Sequence, residues 1–214
     1  MDTISFKYVI PKVFASREEH KSEVWQNDIV FEKGKSYLIE AESGKGKSTF
    51  CSYLIGYRND FFGDILFDGT NVNAFTTKEW VRVRTQHISH LFQDLRLFPE
   101  LTAIENVDIK NRLTNHKSRE DIEKWFDMMG IPDKKDVLVG KMSFGQQQRV
   151  AMIRAFCQPF DFIIVDEPIS HLDDQNARIL GEILCQEAKS QGAGLIVTSI
   201  GKHPSLPYDR TVLL

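Results

Sequence analysis

The sequence "AESGKGKST", residues 41–49, follows a stretch typical of a strand, "SYLIEA" (36–41), and runs into one typical of a helix, "STFCSYLIGYR" (48–58). Its two glycines let the backbone turn several amides toward one anion, and Lys47 adds a positive charge. The pattern predicts a phosphate-binding loop, although Ala41 stands where the pattern usually has its first glycine. A Gly/Ser turn that only caps a helix is the alternative.

If the segment is a phosphate-binding loop, the N-terminus of the helix that follows it completes the site with its positive end. The Ser48 hydroxyl is expected to bind magnesium. The residues predicted to contact a nucleotide in this segment are Ser43, Gly44, Lys45, Gly46, Lys47, Ser48 and Thr49.

A second motif, "IIVDEP", ends the apolar run 160–168 with two acids. A buried strand in a parallel sheet places residues at its carboxyl end beside the phosphate loop, where ligands collect. We therefore expect Asp166 to hold magnesium and Glu167 to act as the general base on an attacking water. The alternative is a strand followed by a solvated acidic turn.

Short apolar runs alternate with helical patterns along the chain, which predicts an α/β fold with a mostly parallel sheet. The pattern from 101 to 158 is mostly helical and suggests a subdomain inserted between strands. One face of the helix predicted over 118–129 carries Ile122, Trp125, Phe126 and Met129. The predicted strands after the first are 63–69, 87–93, 160–168, 194–199 and 211–214.

Composition sets limits on the function. The 214 residues carry a net charge of −3, which gives no electrostatic argument for nucleic acid, and no nucleic-acid partner is expected. The three cysteines lack CxxC spacing, so the sequence suggests neither a disulfide framework nor a zinc site. No apolar run reaches the roughly 18 residues that a membrane span needs. We expect any association with a membrane to go through a partner.

The stretch "MSFGQQQR", residues 142–149, contains a capping box, in which Ser143 and Gln146 satisfy free amides of a first helical turn. An apolar face follows the box. Three glutamines and an arginine after Gly145 exceed what a cap requires, so the segment is also a candidate for half of a binding site.

Together these motifs resemble the ATP-binding subunit of an ABC (ATP-binding cassette) transporter over nearly the whole chain. "MSFGQQQR" is similar to the family's LSGGQ signature, "FQD" (92–94) to its Q-loop and "SHLD" (170–173) to its D-loop. "GDILFDGTNV" and "LFPELTAIENV" also match stretches typical of such subunits. The resemblance implies a P-loop NTPase fold in one domain, 1–214. The implied fold has a RecA-like core, an N-terminal antiparallel β subdomain and a helical subdomain at about 95–157.

The resemblance also implies roles for single residues. Ser143, Gly145 and Gln146 would contact the γ-phosphate of ATP bound to a second ABC subunit, when two cassettes close face to face. Gln93 would touch magnesium and the attacking water, so the implied metal ligands are Ser48, Gln93 and Asp166. Phe14 is the candidate for stacking on adenine, with a core phenylalanine as the alternative, and Asp173 is expected at the dimer interface.

Two departures from the family pattern affect the expected rate. Phe144 replaces the first glycine of the signature, and Ser199 stands where the family has a histidine that contacts the γ-phosphate. A serine is shorter and cannot act as an imidazole. With Ser199 in this catalytic position, we expect binding of Mg-ATP and slow hydrolysis. His203 is a weaker candidate for replacing the imidazole.

The resemblance thus implies a cytoplasmic ATPase subunit that dimerises on ATP, as a homodimer or heterodimer, and drives a separate membrane-spanning permease. It would lie at the inner face of the cell membrane through that partner. A degenerate ATP sensor or scaffold is one alternative. A soluble ABC ATPase acting on nucleic acid or ribosomes is the other.

Overall fold

The fold is that of a computed structural model, which describes residues 1–16, 22–169, 173–201 and 203–214. The strands, numbered β1 to β9 in chain order, are Thr3–Pro11, Asp28–Glu32, Ser36–Glu40, Phe61–Phe67, Thr70–Asn71, Ile88–Leu91, Phe162–Asp166, Gly194–Ser199 and Arg210–Leu213. The helices, numbered α1 to α6, are Lys47–Leu54, Thr77–Arg82, Ala103–Asn111, Arg119–Met128, Phe144–Phe156 and Asp174–Ser190.

A parallel sheet with strand order β6-β7-β8-β3-β9 forms the centre of the protein. Strand β3, which leads into the phosphate loop, pairs with β8, and β8 pairs with β7, which carries the two acids. The register places Asp166 opposite Thr198. Because parallel strands end at the same edge, the loop and the acids meet there although more than 100 residues separate them.

A smaller antiparallel sheet, with order β2-β1-β4-β5, is built largely from the N-terminal part of the chain. Strand β1 is irregular between Lys7 and Ile10, where it pairs with β4. Gly63 of β4 lies against this irregularity with φ +85°, and a Cβ at position 63 would lie 2.5 Å from the carbonyl oxygen of Tyr8. A glycine is therefore required for the two strands to approach so closely.

The central strands β3, β7 and β8 of the parallel sheet are buried on both faces, and alternate residues of each strand point to opposite sides. In β7, Ile163 and Val165 pack into the core shared with the helices between β6 and β7. Phe162 and Ile164 pack into the core shared with the antiparallel sheet and α1. Each such side chain contributes roughly 1.5–3 kcal/mol to stability when it is fully buried.

Helices α3, α4 and α5 lie between β6 and β7 in the chain, and all three begin with the same capping motif. Thr102, Ser118 and Ser143 each cap their helix in a capping box with the residue three positions on. The predicted box at Ser143 is confirmed. The predicted apolar face of α4 is also confirmed, since all four of its residues are buried, namely Ile122, Trp125, Phe126 and Met129.

The mixed architecture predicted from the sequence is confirmed, while several strands have different ends. The strand predicted over 63–69 starts at Phe61 and stops at Phe67, because Asp68 and Gly69 adopt positive φ and turn the chain into β5. In the parts of the chain that the structure describes, every helix is too short or too polar to cross a membrane.

Candidate nucleotide-binding site

The phosphate loop ends at Gly46, which is the N-cap of α1 and has φ +103° with no side-chain cap. The amide of Phe50 donates to the Gly46 carbonyl at 2.8 Å. The amides that precede Phe50 in the first turn of α1 have no acceptor within the helix. Gly44 also has positive φ, at +78°. The loop therefore combines the backbone turn and the helix start that an anion site requires.

Lys47 is only 6% exposed, and its ammonium group lies under the loop. Nζ donates to the carbonyl oxygens of Ala41 at 3.3 Å and Glu42 at 3.4 Å, and it lies 3.7 Å from Oε1 of Glu167. Position 41 contributes its backbone carbonyl to this contact, and an alanine supplies that group as the usual glycine would. The buried cation is held at the place where phosphate groups would bind.

The two acids at the end of β7 have different surroundings. Asp166 is buried and accepts a hydrogen bond from the Thr198 hydroxyl, and burial raises the pKa of its carboxyl above the ordinary value. Glu167 has φ +50°, and its amide donates to the Thr198 carbonyl at 3.2 Å. This backbone conformation turns Glu167 out of the strand and toward Lys47.

Gln93 completes a chain of contacts across the site, because its Nε2 donates to Oε2 of Glu167 at 3.3 Å. Ser48, Gln93 and Asp166 line one cleft of about 450 Å³. Hydroxyl, amide and carboxylate oxygens are the ligands that Mg²⁺ prefers. The cleft thus brings together the three predicted magnesium ligands, and their chemistry fits that ion.

The start of α5 is exposed. The Ser143 hydroxyl accepts from the Gln146 amide at 3.3 Å, and the Ser143 amide donates to the Gln146 side chain at 3.0 Å. Phe144 is 43% exposed. Its ring therefore does not fill the interior of its own subunit, and the Ser143 hydroxyl, Gly145 and Gln146 lie at the surface or near it.

The three residues after Gln146 have contacts that the sequence analysis missed. Gln147 donates to the Met142 carbonyl at 3.0 Å, and Gln148 donates to the Pro168 carbonyl. Arg149 donates to the Met129 carbonyl at 2.9 Å. Glutamine and arginine reach distant carbonyls with long side chains, so these residues fix the helix start against neighbouring loops. The link to Pro168 ties the helix to the segment that follows the two acids.

Three other predicted site residues lie inside the protein. Phe14 is 7% exposed, and a Cβ added at Gly46 would lie 2.8 Å from its ring, so Phe14 packs beneath the loop. Ser199 is fully buried at the end of β8, where its carbonyl accepts from the Ala41 amide at 3.2 Å. Thr49 accepts from Arg58 at 3.2 Å. The predicted adenine stacking by Phe14 stays a prediction.

The remaining predicted residues lie around the site. Ser43 and Lys45 are exposed, with Lys45 Nζ 4.0 Å from Glu42. His203 lies 3.9 Å from Glu40. Asp173 is exposed and caps α6 by accepting from the Asn176 amide at 2.9 Å. The other residues of the predicted D-loop, 170–172, lie outside the described residues.

The side chains of the cleft that were not predicted as site residues include Cys51 and His90. Cys51 and His90 line it together with Asp166, and one ligand atom of each lies within 4.8 Å of the others. Sequence spacing gave no signal for this cluster, because its members come from α1, β6 and β7 and meet only in the folded protein.

Comparisons with known proteins identify the family of this chain. A model of the ABC transporter family matches residues 26–170. The ABC transporter ATP-binding protein YtrE of Bacillus subtilis is 33% identical over 168 residues, which cover 77% of this chain and 73% of YtrE. The lipoprotein-releasing system ATP-binding protein LolD of Buchnera aphidicola is 27% identical, covering 89% of this chain and 84% of LolD.

A solved structure shares the fold. The dimeric structure of MJ0796, a bacterial ABC transporter cassette, matches with a TM-score of 0.78 and 25% identity, covering 92% of this chain and 87% of MJ0796. The predicted P-loop NTPase fold of the ABC type is therefore confirmed. Because the family model covers more than half of the sequence, this chain belongs to the ABC transporter family of ATP-binding proteins.

Proposed function

We propose that this chain binds Mg-ATP, hydrolyses it slowly and drives a separate membrane-spanning permease by dimerising with a second ABC subunit. The observation that carries the proposal is the chain of contacts from Lys47 through Glu167 to Gln93, which lines the cleft. It joins a phosphate-binding cation, a general base and a water-orienting amide across one short path.

In the proposed reaction, the loop amides and Lys47 hold the phosphates of ATP. Ser48, Gln93 and Asp166 would hold Mg²⁺, which neutralises phosphate charge when it is bound. Glu167 accepts the proton of the attacking water, which the Gln93 amide orients. Lys47 and Glu167 pair in this structure, and phosphate binding would draw Lys47 away from the Glu167 carboxylate.

The second half of the site is supplied by another subunit in this proposal. Ser143 presents its hydroxyl, Gly145 its amide and Gln146 its side chain at the surface, together with the positive end of α5. The likeness to MJ0796, which forms a dimer, supports pairing of this kind. The closed dimer binds ATP more tightly than the open one, so ATP binding shifts the equilibrium toward closure.

The position of Ser199 supports slow turnover. Its hydroxyl lies in the interior at the end of β8, and a missing transition-state donor of this kind costs about 10²–10³ in rate. The same observation favours a second candidate function, an ATP sensor that closes on ATP and scarcely hydrolyses it. Turnover measured under ATP saturation separates the two functions.

The proposed partner and location follow from the relatives. LolD belongs to a lipoprotein-releasing system and YtrE to an ABC transporter, as their names state. By analogy, this chain would work in the cytoplasm at the inner face of the membrane, bound to a permease. Co-purification with a membrane protein tests this part.

Replacing Glu167 with Gln tests the central proposal. The amide cannot accept the proton, so ATP should stay intact and hold two subunits together. We expect the variant to elute as a dimer in Mg-ATP and as a monomer without it, measured by light scattering after gel filtration. Lys47→Ala in the same background is the control and should stay monomeric. A Glu167→Gln protein that binds ATP and remains monomeric at saturation contradicts the proposed dimer.

A further inference from the structure

The cleft beside the phosphate loop contains a mixed set of metal-binding side chains. Sγ of Cys51, a ring nitrogen of His90 and a carboxylate oxygen of Asp166 all lie within 4.8 Å of one another. Cys51 is one helical turn after Ser48 in α1, while the other two residues come from adjacent strands of the parallel sheet. All three line the same cleft, so an ion entering it can reach each of them.

His90 provides a second, independent observation. Both ring nitrogens are buried, and neither has a hydrogen-bond partner among the described residues. A buried polar atom without a partner is costly, at about 1–3 kcal/mol, and is rare in native proteins. One nitrogen of a neutral imidazole carries a lone pair and can bind a metal ion.

The geometry points to a site for a thiophilic divalent cation of the Zn²⁺ class, held by Cys51, His90 and Asp166. Thiolate and imidazole ligands favour zinc over magnesium, which prefers an all-oxygen shell. Ligand atoms in a tetrahedral zinc site lie about 3.5 Å apart, so side chains now within 4.8 Å of one another need to move by about an ångström. A solvent molecule in the open cleft would be the fourth ligand, as in zinc sites with three protein ligands.

The surroundings of the cluster support binding. The Thr198 hydroxyl bonds one oxygen of Asp166, which orients the carboxylate and leaves its other oxygen for the ion. A cysteine binds a metal as the thiolate, so binding at Cys51 replaces its S–H bond with an S–metal bond and releases the proton to solvent.

Asp166 belongs both to this cluster and to the proposed magnesium site, so the two ions compete for it. Zinc bound here should therefore weaken binding of Mg-ATP, and Mg-ATP should weaken binding of zinc. This competition rests on the proposed function, whereas binding of the ion alone does not.

Cobalt titration of the nucleotide-free protein tests the site, because Co²⁺ is a spectroscopic substitute for Zn²⁺. We expect one equivalent of Co²⁺ to produce a thiolate-to-cobalt charge-transfer band and d–d bands with the intensity of a four-coordinate site. Addition of Zn²⁺ should then remove these bands. Cys51→Ala should abolish the charge-transfer band, and His90→Phe should weaken affinity by at least about tenfold. Cys185→Ala, which changes a cysteine outside the cleft, is the matched control and should leave the spectrum unchanged.

Circular dichroism and thermal unfolding establish that each variant is folded, and the two cleft variants test the site independently. A wild-type protein with no charge-transfer band overturns the proposal, and so does a band that survives Cys51→Ala or disappears in Cys185→Ala. Addition of Mg-ATP should lower the cobalt occupancy. If the folded protein binds ATP and its cobalt spectrum stays the same, Asp166 is not shared. If it binds cobalt but not ATP, the proposed function fails while the metal site stands.

Discussion

The phosphate loop and the signature helix α5 begin their helices in opposite ways. Gly46 starts α1 with no side-chain cap, next to the buried cation of Lys47. Ser143 starts α5 with a complete capping box at the surface. A helix start without a cap leaves its amides available for an anion, whereas a capped start is already stable by itself. In the proposed function, the first therefore binds phosphate within one subunit, and the second contacts ATP that is bound to a partner subunit.

The largest effect should come from the uncapped helix start. Replacing Lys47 with Ala removes the buried cation that faces the phosphates in the proposed site and that lies 3.7 Å from Glu167. We expect ATP binding measured by calorimetry to be lost and turnover to fall by about 10³ or more. Lys45→Ala is the matched control in the same loop, since the Lys45 side chain is exposed and lies 4.0 Å from exposed Glu42. Equal losses in the two variants would contradict a specific role for Lys47.

The next effect concerns the missing imidazole. Replacing Ser199 with His places a longer donor at the end of β8. We expect turnover to rise by about 10–100-fold, which would restore part of the rate that is lost because the histidine is missing. The residue is fully buried, so the larger side chain should also lower stability by about 1–3 kcal/mol. Ser199→Ala is the control and should keep the wild-type turnover. If a folded Ser199→His protein is no faster, Ser199 does not limit the rate.

A matched pair of caps distinguishes the two roles of Ser143. Ser143→Ala and Ser118→Ala remove the same capping box from α5 and α4, and each should lower the free energy of unfolding by about 1 kcal/mol. Only Ser143→Ala should lower ATP-dependent dimerisation and turnover, by about tenfold, because only that hydroxyl faces the partner's ATP in the proposed dimer. Chemical denaturation and turnover measure the two effects separately, and equal turnover in both variants would leave Ser143 with a structural role alone.

The smallest effect is one of stability. Burial raises the pKa of Asp166, so the folded state favours the protonated carboxyl. Protonation of Asp166 therefore stabilises the folded state at low pH, and this contribution is lost as the pH rises through the pKa of the folded state. With metal chelated, Asp166→Asn should therefore be more stable than wild type at pH 7, by about 0.5–2 kcal/mol, with the difference shrinking at acid pH. Urea unfolding at several pH values measures this. A variant that is less stable at pH 7 contradicts the sign.

Local sequence patterns predicted the parts of the site that depend on neighbouring residues. The capping box needs only residues 143 and 146, and the apolar run of β7 needs only its own side chains to be buried. The meeting of the phosphate loop with the two acids was also predicted, from the geometry of a parallel sheet, but other contacts between distant elements were not. Gln148 bonds the Pro168 carbonyl and Phe14 packs under Gly46, and neither residue carries a local signal that names its partner.

The sequence by itself determined the phosphate loop, the acidic end of β7 and the capped start of α5, because each is set by backbone preferences within a few residues. Only the tertiary structure decided that Lys47 meets Glu167, that Ser199 is enclosed, and that Cys51, His90 and Asp166 meet in one cleft. The physical reason is the strand order β6-β7-β8-β3, which joins strands far apart in the chain. Which strands become neighbours depends on the packing of the whole domain.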